Sequence, residues 1–230
     1  MICTWFAFNE AKRRQIWYNG AGGTITAMSP RPYRLGERES TIQQTRDRII
    51  EAARALLTTS DGITSFSIEA VARHANVARM TVYYQFGSKI GLLEAICDTL
   101  AANGGITQLA YVFRLADPHA MLAEYIRLFS QFWDSERLLA RRLRGLASLD
   151  PEFELVIRAR DERRRWGTGV LVQQLADRTG QPAPDAINQA IELLFTLTSF
   201  ETFDTLAGPA RSCAEVAPLV QRLVVMALEL

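Results

Sequence analysis

Apolar residues recur along this chain at helical spacing, and the order is clearest between residues 67 and 89, SIEAVARHANVARMTVYYQFGSK. Ile68, Val71, Ala72 and Ala75 repeat at the three- and four-residue steps of one helix face. Val82 and Phe86 sit four apart and share a face of a second short segment. Between the two lies Asn76-Val77, a tight break that calls for a left-handed residue, which Asn tolerates better than any residue but glycine. The pattern predicts a helix-turn-helix whose two faces close on a small common core.

The same reading extends in both directions. Ile49, Ala53, Leu56 and Leu57 predict a first helix at 42–58, with Asp61-Gly62 at its exit. Ser67 is a good N-cap, and Phe66 before it with Val71 after it makes a hydrophobic staple. Ser88 caps a further helix through Leu92, Leu93, Ile96 and Leu100, which Asn103-Gly104-Gly105 ends. Asp117-Pro118 and Asp150-Pro151 each place an N-cap residue before proline at the first helical position. Leu122, Tyr125, Ile126, Phe129, Phe132 and Trp133 form one apolar stripe; Leu155, Ala159, Trp166 and Val170 form another. Segments 185–206 and 214–230 are apolar on more than one face and predict a second surface that covers them. The fold class expected is all-α.

Residues 1–40 have no such period and are rich in breakers, and they read as a flexible extension. Gly20, Gly22 and Gly23 fit no phosphate-loop spacing. Met28 is a second possible start, so 1–27 are expected to add nothing to folding. Arg31, Arg34 and Arg38 suit either a solvated tail or an arm for a minor groove.

Charge sharpens the picture only through its distribution. The net value is +1, but residues 1–94 carry 12 Lys and Arg against 8 Asp and Glu, and residues 95–230 carry 14 against 17. The basic excess therefore lies in the part of the chain that contains the helix-turn-helix. On its second segment the direction opposite Val82 and Phe86 falls on Met80 and Tyr84, flanked by Thr81 and Tyr83. Hydroxyls and an apolar group, without acids, suit a major groove; a solvated helix more often shows Glu, Lys and Gln. Arg79, Lys89, Arg46 and the Ser67 hydroxyl at a helix N-terminus are placed for phosphates. The run DERRR at 161–165 reads instead as a solvated helix face.

Cys3, Cys97 and Cys213 are widely spaced and read as reduced thiols, and His74 and His119 are too few and too distant for a metal site. Neither a metal nor a cofactor is expected. No apolar run reaches the length of a membrane span, and the apolar start MICTWFAF is short and precedes its basic cluster, the reverse of an export signal. The expected location is cytoplasmic.

Residues 45–103, and most closely VARHANVARMTVYYQFGSKIGLLEAI, resemble the DNA-binding domain of the TetR family of bacterial transcriptional regulators. Thr81-Val82-Tyr83 ahead of Phe86, then Ser88-Lys89 opening a helix with Leu92 and Leu93, carry the likeness. Asn76 stands where glycine is common in the family, and Ala78 where a capping serine is usual. The resemblance implies three parts: an extension at 1–40, a three-helix helix-turn-helix domain with its connecting helix at 41–103, and a helical ligand-binding and dimerisation domain at 104–230. It implies a repressor that leaves an inverted-repeat operator when a small-molecule inducer binds, and a homodimer through 185–206 and 214–230. Phe129, Trp133, Trp166, Phe195 and Thr198 are the candidate ligand residues. A helical-bundle enzyme and a ligand-independent architectural protein are the alternatives; no Glu-x-x-His pair, nucleotide loop or Ser/His/Asp set favours the enzyme.

Overall fold

The computed structural model describes residues 32–229, with side chains from Glu39 onward, and among these residues there is no strand. The expectations about residues 1–27, Met28 and Arg31, and about the side chains of Arg34 and Arg38, lie outside what it describes. The chain divides into two units between Gln43 and Gln44, and the larger, running to Leu230, contains the helix-turn-helix and everything after it.

The first helix, α1, runs Pro32–Leu57 and so starts well before residue 42. Its opening turns carry no apolar period, which is why the pattern misses them, but Pro32 suits a first helical position and Arg, Leu and Glu are good helix formers. A single turn, α2 (Gly62–Ser65), follows. Next come α3 (Ile68–His74) and α4 (Arg79–Phe86), then α5 (Lys89–Asn103). Ser67 Oγ accepts the Ala70 amide at 3.1 Å and Ser88 Oγ accepts that of Gly91 at 3.0 Å, so both caps form. Ile49, Ala53, Leu57, Val71, Val82, Leu92, Leu93 and Ile96 are fully buried and make the core beneath these helices.

The rest of the described chain adds α6 (Leu109–Val112), α7 (Pro118–Ser135), α8 (Arg137–Ala147), α9 (Pro151–Thr179), α10 (Ile187–Leu197), α11 (Phe200–Ala207) and α12 (Cys213–Leu228). Asp117 and Asp150 cap α7 and α9 ahead of their prolines. Helix α7 packs on α9 and α12, and α9 packs on α8, α10 and α5. Helix α5 thus touches both α4 and the long helix of the bundle.

Three expectations change. Segment 185–206 is two helices, because Ser199 caps a new one by accepting the Thr202 amide. Of the stripe Leu155, Ala159, Trp166 and Val170, the first three face outward, with Leu155 65% and Trp166 60% exposed, and Val170 is half-buried. Helix α9 instead buries Phe153, Gly167, Thr168, Leu171, Val172 and Leu175, a face whose glycine and threonine hide it from an apolar count. In α12, Val216, Val220, Val224 and Leu228 point into the core, and Leu223 and Met226 alone of its large apolar residues are substantially exposed. No helix among the described residues is long and apolar enough to cross a membrane, and none of their His, Cys, Asp and Glu side chains gather in threes around a possible metal position.

Candidate nucleic-acid interface

The turn between α3 and α4 hinges on Asn76, at φ 50°, with the Val77 amide bonded back to Ala72 O at 3.0 Å. This closes α3 and α4 over Val71, Ala72 and Val82. Helix α4 has no side-chain cap at Ala78 and ends at Gly87, whose φ of 75° lets its N–H reach Tyr83 O at 2.8 Å. Directly after it α5 begins so close that a Cβ on Gly91 would lie 2.1 Å from Phe86 O. Helices α4 and α5 are held in a fixed corner by that approach.

With Val82 wholly buried, Met80 and Tyr84 stand 72% and 75% exposed on the opposite side of α4. Thr81 and Tyr83 flank them, half-buried. Arg79 is exposed and occupied: Nη2 donates to Tyr83 Oη at 3.1 Å, and Nη1 lies 2.8 Å from Glu69. Those two contacts, the Tyr83 bond first, raise its pKa further above the ordinary arginine value. Arg46 turns inward, donating to Gln85 O at 2.9 Å with its guanidinium 4.4 Å from the Phe86 centroid, and so pins α1 to the end of α4. Ser67 uses one oxygen lone pair for its cap. Lys89 Nζ lies 3.1 Å from Asp150 Oδ2, at the N-cap of α9. That hydrogen bond is the largest cause holding the Asp150 carboxyl below its usual value.

The five candidate ligand residues do not all meet. Phe129, Trp133 and Thr198 are buried together with Phe200, with the Trp133 indole donating to Thr198 O at 3.0 Å. Phe195 is half-buried between the guanidinium groups of Arg164 and Arg165, 3.7 and 4.2 Å from its centroid. Trp166 stands apart on the outer face. Arg164, absent from the sequence expectations, reaches Phe195 O and Thr198 Oγ1 from within a run that reads as solvated. Cys97 and Cys213 are buried, and burial pushes each thiol up to about 11, away from thiolate chemistry at neutral pH.

Residues 49–96 match the model of the bacterial regulatory proteins of the tetR family. The helix-turn-helix segment is therefore similar to that family's DNA-binding domain. Solved structures extend the likeness of fold over most of the length. A TetR family transcriptional regulator, PfmR, from Thermus thermophilus is 21% identical with a TM-score of 0.60, covering 78% of this chain and 97% of that one. A TetR transcription regulator from Haloarcula marismortui is 18% identical, with a TM-score of 0.63 over 81% and 97%. A transcriptional regulator from Saccharomonospora viridis, solved in complex with choline, is 17% identical, with a TM-score of 0.62 over 79% and 96%. A search of curated proteins found no match. The TetR-family segment spans the end of α1 through most of α5, the part of the molecule that carries Met80, Tyr84 and Lys89.

Proposed function

We propose that this protein is a DNA-binding repressor, working in the cytoplasm as a homodimer, that leaves an inverted-repeat operator when a small molecule occupies the helices beyond residue 104. The observation that carries this reading is the exposure of Met80 and Tyr84 on α4 while Val82 behind them is fully buried. A side chain as apolar as methionine gains nothing from standing in water, and a groove with thymine methyls gives it a partner. In the division of labour proposed, Met80, Thr81 and Tyr84 read base edges, Tyr83 contacts DNA from the flank of α4, and Ser67, Arg79 and Lys89 hold phosphates. Arg46 acts on phosphate only if it leaves Gln85 and Phe86; its present contacts support a role in fixing α1 against α4.

Dimerisation is proposed through α10, α11 and α12, where Leu223 and Met226 continue an outward apolar strip from the half-buried Leu219. A two-fold dimer presents two copies of α4 and requires a two-fold operator. The effector region is proposed around Phe129, Trp133, Phe195 and Thr198, and the choline held by the similar Saccharomonospora viridis protein supports a small-molecule role for this fold. Coupling from that region to DNA has a physical route, since α9, which carries Arg164, is joined to α5 by Lys89–Asp150 and by Arg160, whose Nη2 donates to Glu94 O and Asp98 at 3.1 and 2.8 Å. An effector releases DNA only by preferring the arrangement that fits DNA badly.

Fluorescence anisotropy of a labelled random-sequence duplex tests the reading. Binding at low salt should weaken steeply as salt rises, with a log–log slope of several units from two heads. Absence of binding at any ionic strength, for protein shown to be folded, sinks the proposal.

A further inference from the structure

Burying a guanidinium costs several kcal/mol unless a carboxylate or other anion sits on it, so the most buried arginine of a bundle asks for its partner. In this molecule the Arg164 side chain is only 8% exposed. Its Nη1 donates to Phe195 O at 2.7 Å and lies 3.4 Å from Thr198 Oγ1, and its Cζ is 3.7 Å from the Phe195 ring centroid and 6.0 Å from that of Phe129. Its Nε is buried without an acceptor. Among the described residues the carboxylate within 4 Å is that of Asp161, 3.8 Å from Nε, and Asp161 is already held by both terminal nitrogens of Arg144 at 3.1 and 3.3 Å. Arg54, Arg142 and Arg160 also have a buried Nε without acceptor; Arg54 and Arg160 each hold a carboxylate, at 2.7 and 2.8 Å, and are more exposed, and Arg142 lies on α8 outside the effector region. Against Arg54 and Arg160, Arg164 has the greater burial and the weaker pairing. Desolvation lowers its pKa, and Asp161 offsets that in part.

We propose that the effector of this protein carries a carboxylate on an apolar or aromatic body, and that Arg164 reads it. This deepens the effector reading above and rests on it. The carboxylate gives the guanidinium the charge-assisted hydrogen bonds that Asp161 does not, and Phe129 and Phe195 supply apolar surface beside it. The Thr198 hydroxyl, already bonded to Leu194 O at 2.7 Å, keeps its remaining acceptor capacity toward Arg164 and does not compete for the anion. Because Nε is covered, an anion reaches it only after the side chains over it have moved. A ligand that binds that moved arrangement alone has the differential affinity that release of DNA requires.

The test is calorimetry and thermal shift on the full chain with benzoate, phenylacetate and octanoate, each beside its matched amide. The carboxylates should raise Tm and bind at least about tenfold more tightly than the amides, since a neutral amide forfeits the charge-assisted bonds. Arg164→Lys, which keeps the charge but loses the planar fork, should erase most of that preference while Arg158→Met, on the exposed side of α9, leaves it. The comparison of acid with amide on the unaltered protein does not depend on any variant folding. Amides binding as well as acids would overturn the carboxylate assignment and leave the effector region standing; failure of both classes would overturn both.

Discussion

Lys89 is one ammonium with two claimants. In the free protein it holds Asp150, and on DNA it is assigned a phosphate, so the carboxylate competes with the nucleic acid. Asp150→Ser keeps a capping oxygen for Phe153 and removes the competing charge, and it should raise affinity for any duplex regardless of sequence. In a Lys89→Ala background the gain should vanish; an equal gain there would place Asp150's effect elsewhere. The pair's contribution to stability also has a sign. Lys89 holds the folded Asp150 carboxyl below its ordinary value of 3.8, so the stabilisation is present above pH 3.8 and is lost as pH falls through the lower folded value. With both side chains partly exposed it should not exceed ~1 kcal/mol. Denaturant titrations of wild type and Asp150→Ser should therefore differ near pH 7 and converge below pH 3.8. Divergence on acidification would contradict the assignment.

At the scale of elements, the corner between α4 and α5 sets where α4 sits. Gly91→Ala would put a methyl 2.1 Å from Phe86 O, and the backbone has no flexible end to move aside. The expected cost is about 1–3 kcal/mol by denaturant midpoint, with loss of duplex binding as the corner opens. A variant as stable as wild type with unchanged binding would show that the corner is soft. Asn76→Gly should be nearly silent, while Asn76→Val, β-branched at φ 50°, should cost ~1–2 kcal/mol. The elements legible in the sequence are those written in local chemistry. Ser67, Ser88, Asp117 and Asp150 mark helix starts because a cap needs only its own next three residues. Asn76 marks the turn for the same reason. The early start of α1 is hidden because residues 32–41 rest on propensity with no apolar period. Helix α8, RLLARRLRGLA, is legible too, since Leu139, Ala140, Leu143, Leu146 and Ala147 recur at helical spacing, but that Arg137, Arg141 and Arg144 pair with Asp204 and Asp161 across the bundle is not written locally. Arg164 is hidden for a related reason: a charge run says nothing of which member points inward.

The whole molecule places two neighbours on α12 in different environments. Val224 is fully buried in the monomer and Leu223 is 37% exposed, so a glutamate at each should fail differently. Val224→Glu leaves an unpaired charge in the core and should cost at least about 3 kcal/mol, unfolding the chain. Leu223→Glu should leave a folded monomer by sedimentation, with operator binding weakened because each half-site is then held alone. If wild type itself sediments as a monomer the proposed dimer fails; if wild type is a dimer and Leu223→Glu sediments with it, the proposed face is wrong and the outward stripe of Leu155 and Trp166 becomes the place to look.

The measurement that bears most directly on the central claim is selection of bound sequences from a random duplex pool, run in parallel with wild type, Tyr84→Ala and Lys89→Ala. Tyr84, 75% exposed on α4, reads base edges in this assignment, and Lys89 meets only phosphate. Wild type should return an inverted repeat with half-sites about one helical turn apart or somewhat more. Lys89→Ala should return the same repeat with weaker binding and a salt slope lower by about one unit per head, and Tyr84→Ala should return a changed base at one position of each half-site, worth ~1–3 kcal/mol. A pool without an inverted repeat, or one in which Tyr84→Ala and Lys89→Ala select the same sequences as wild type, would contradict the assignment of α4 to the groove.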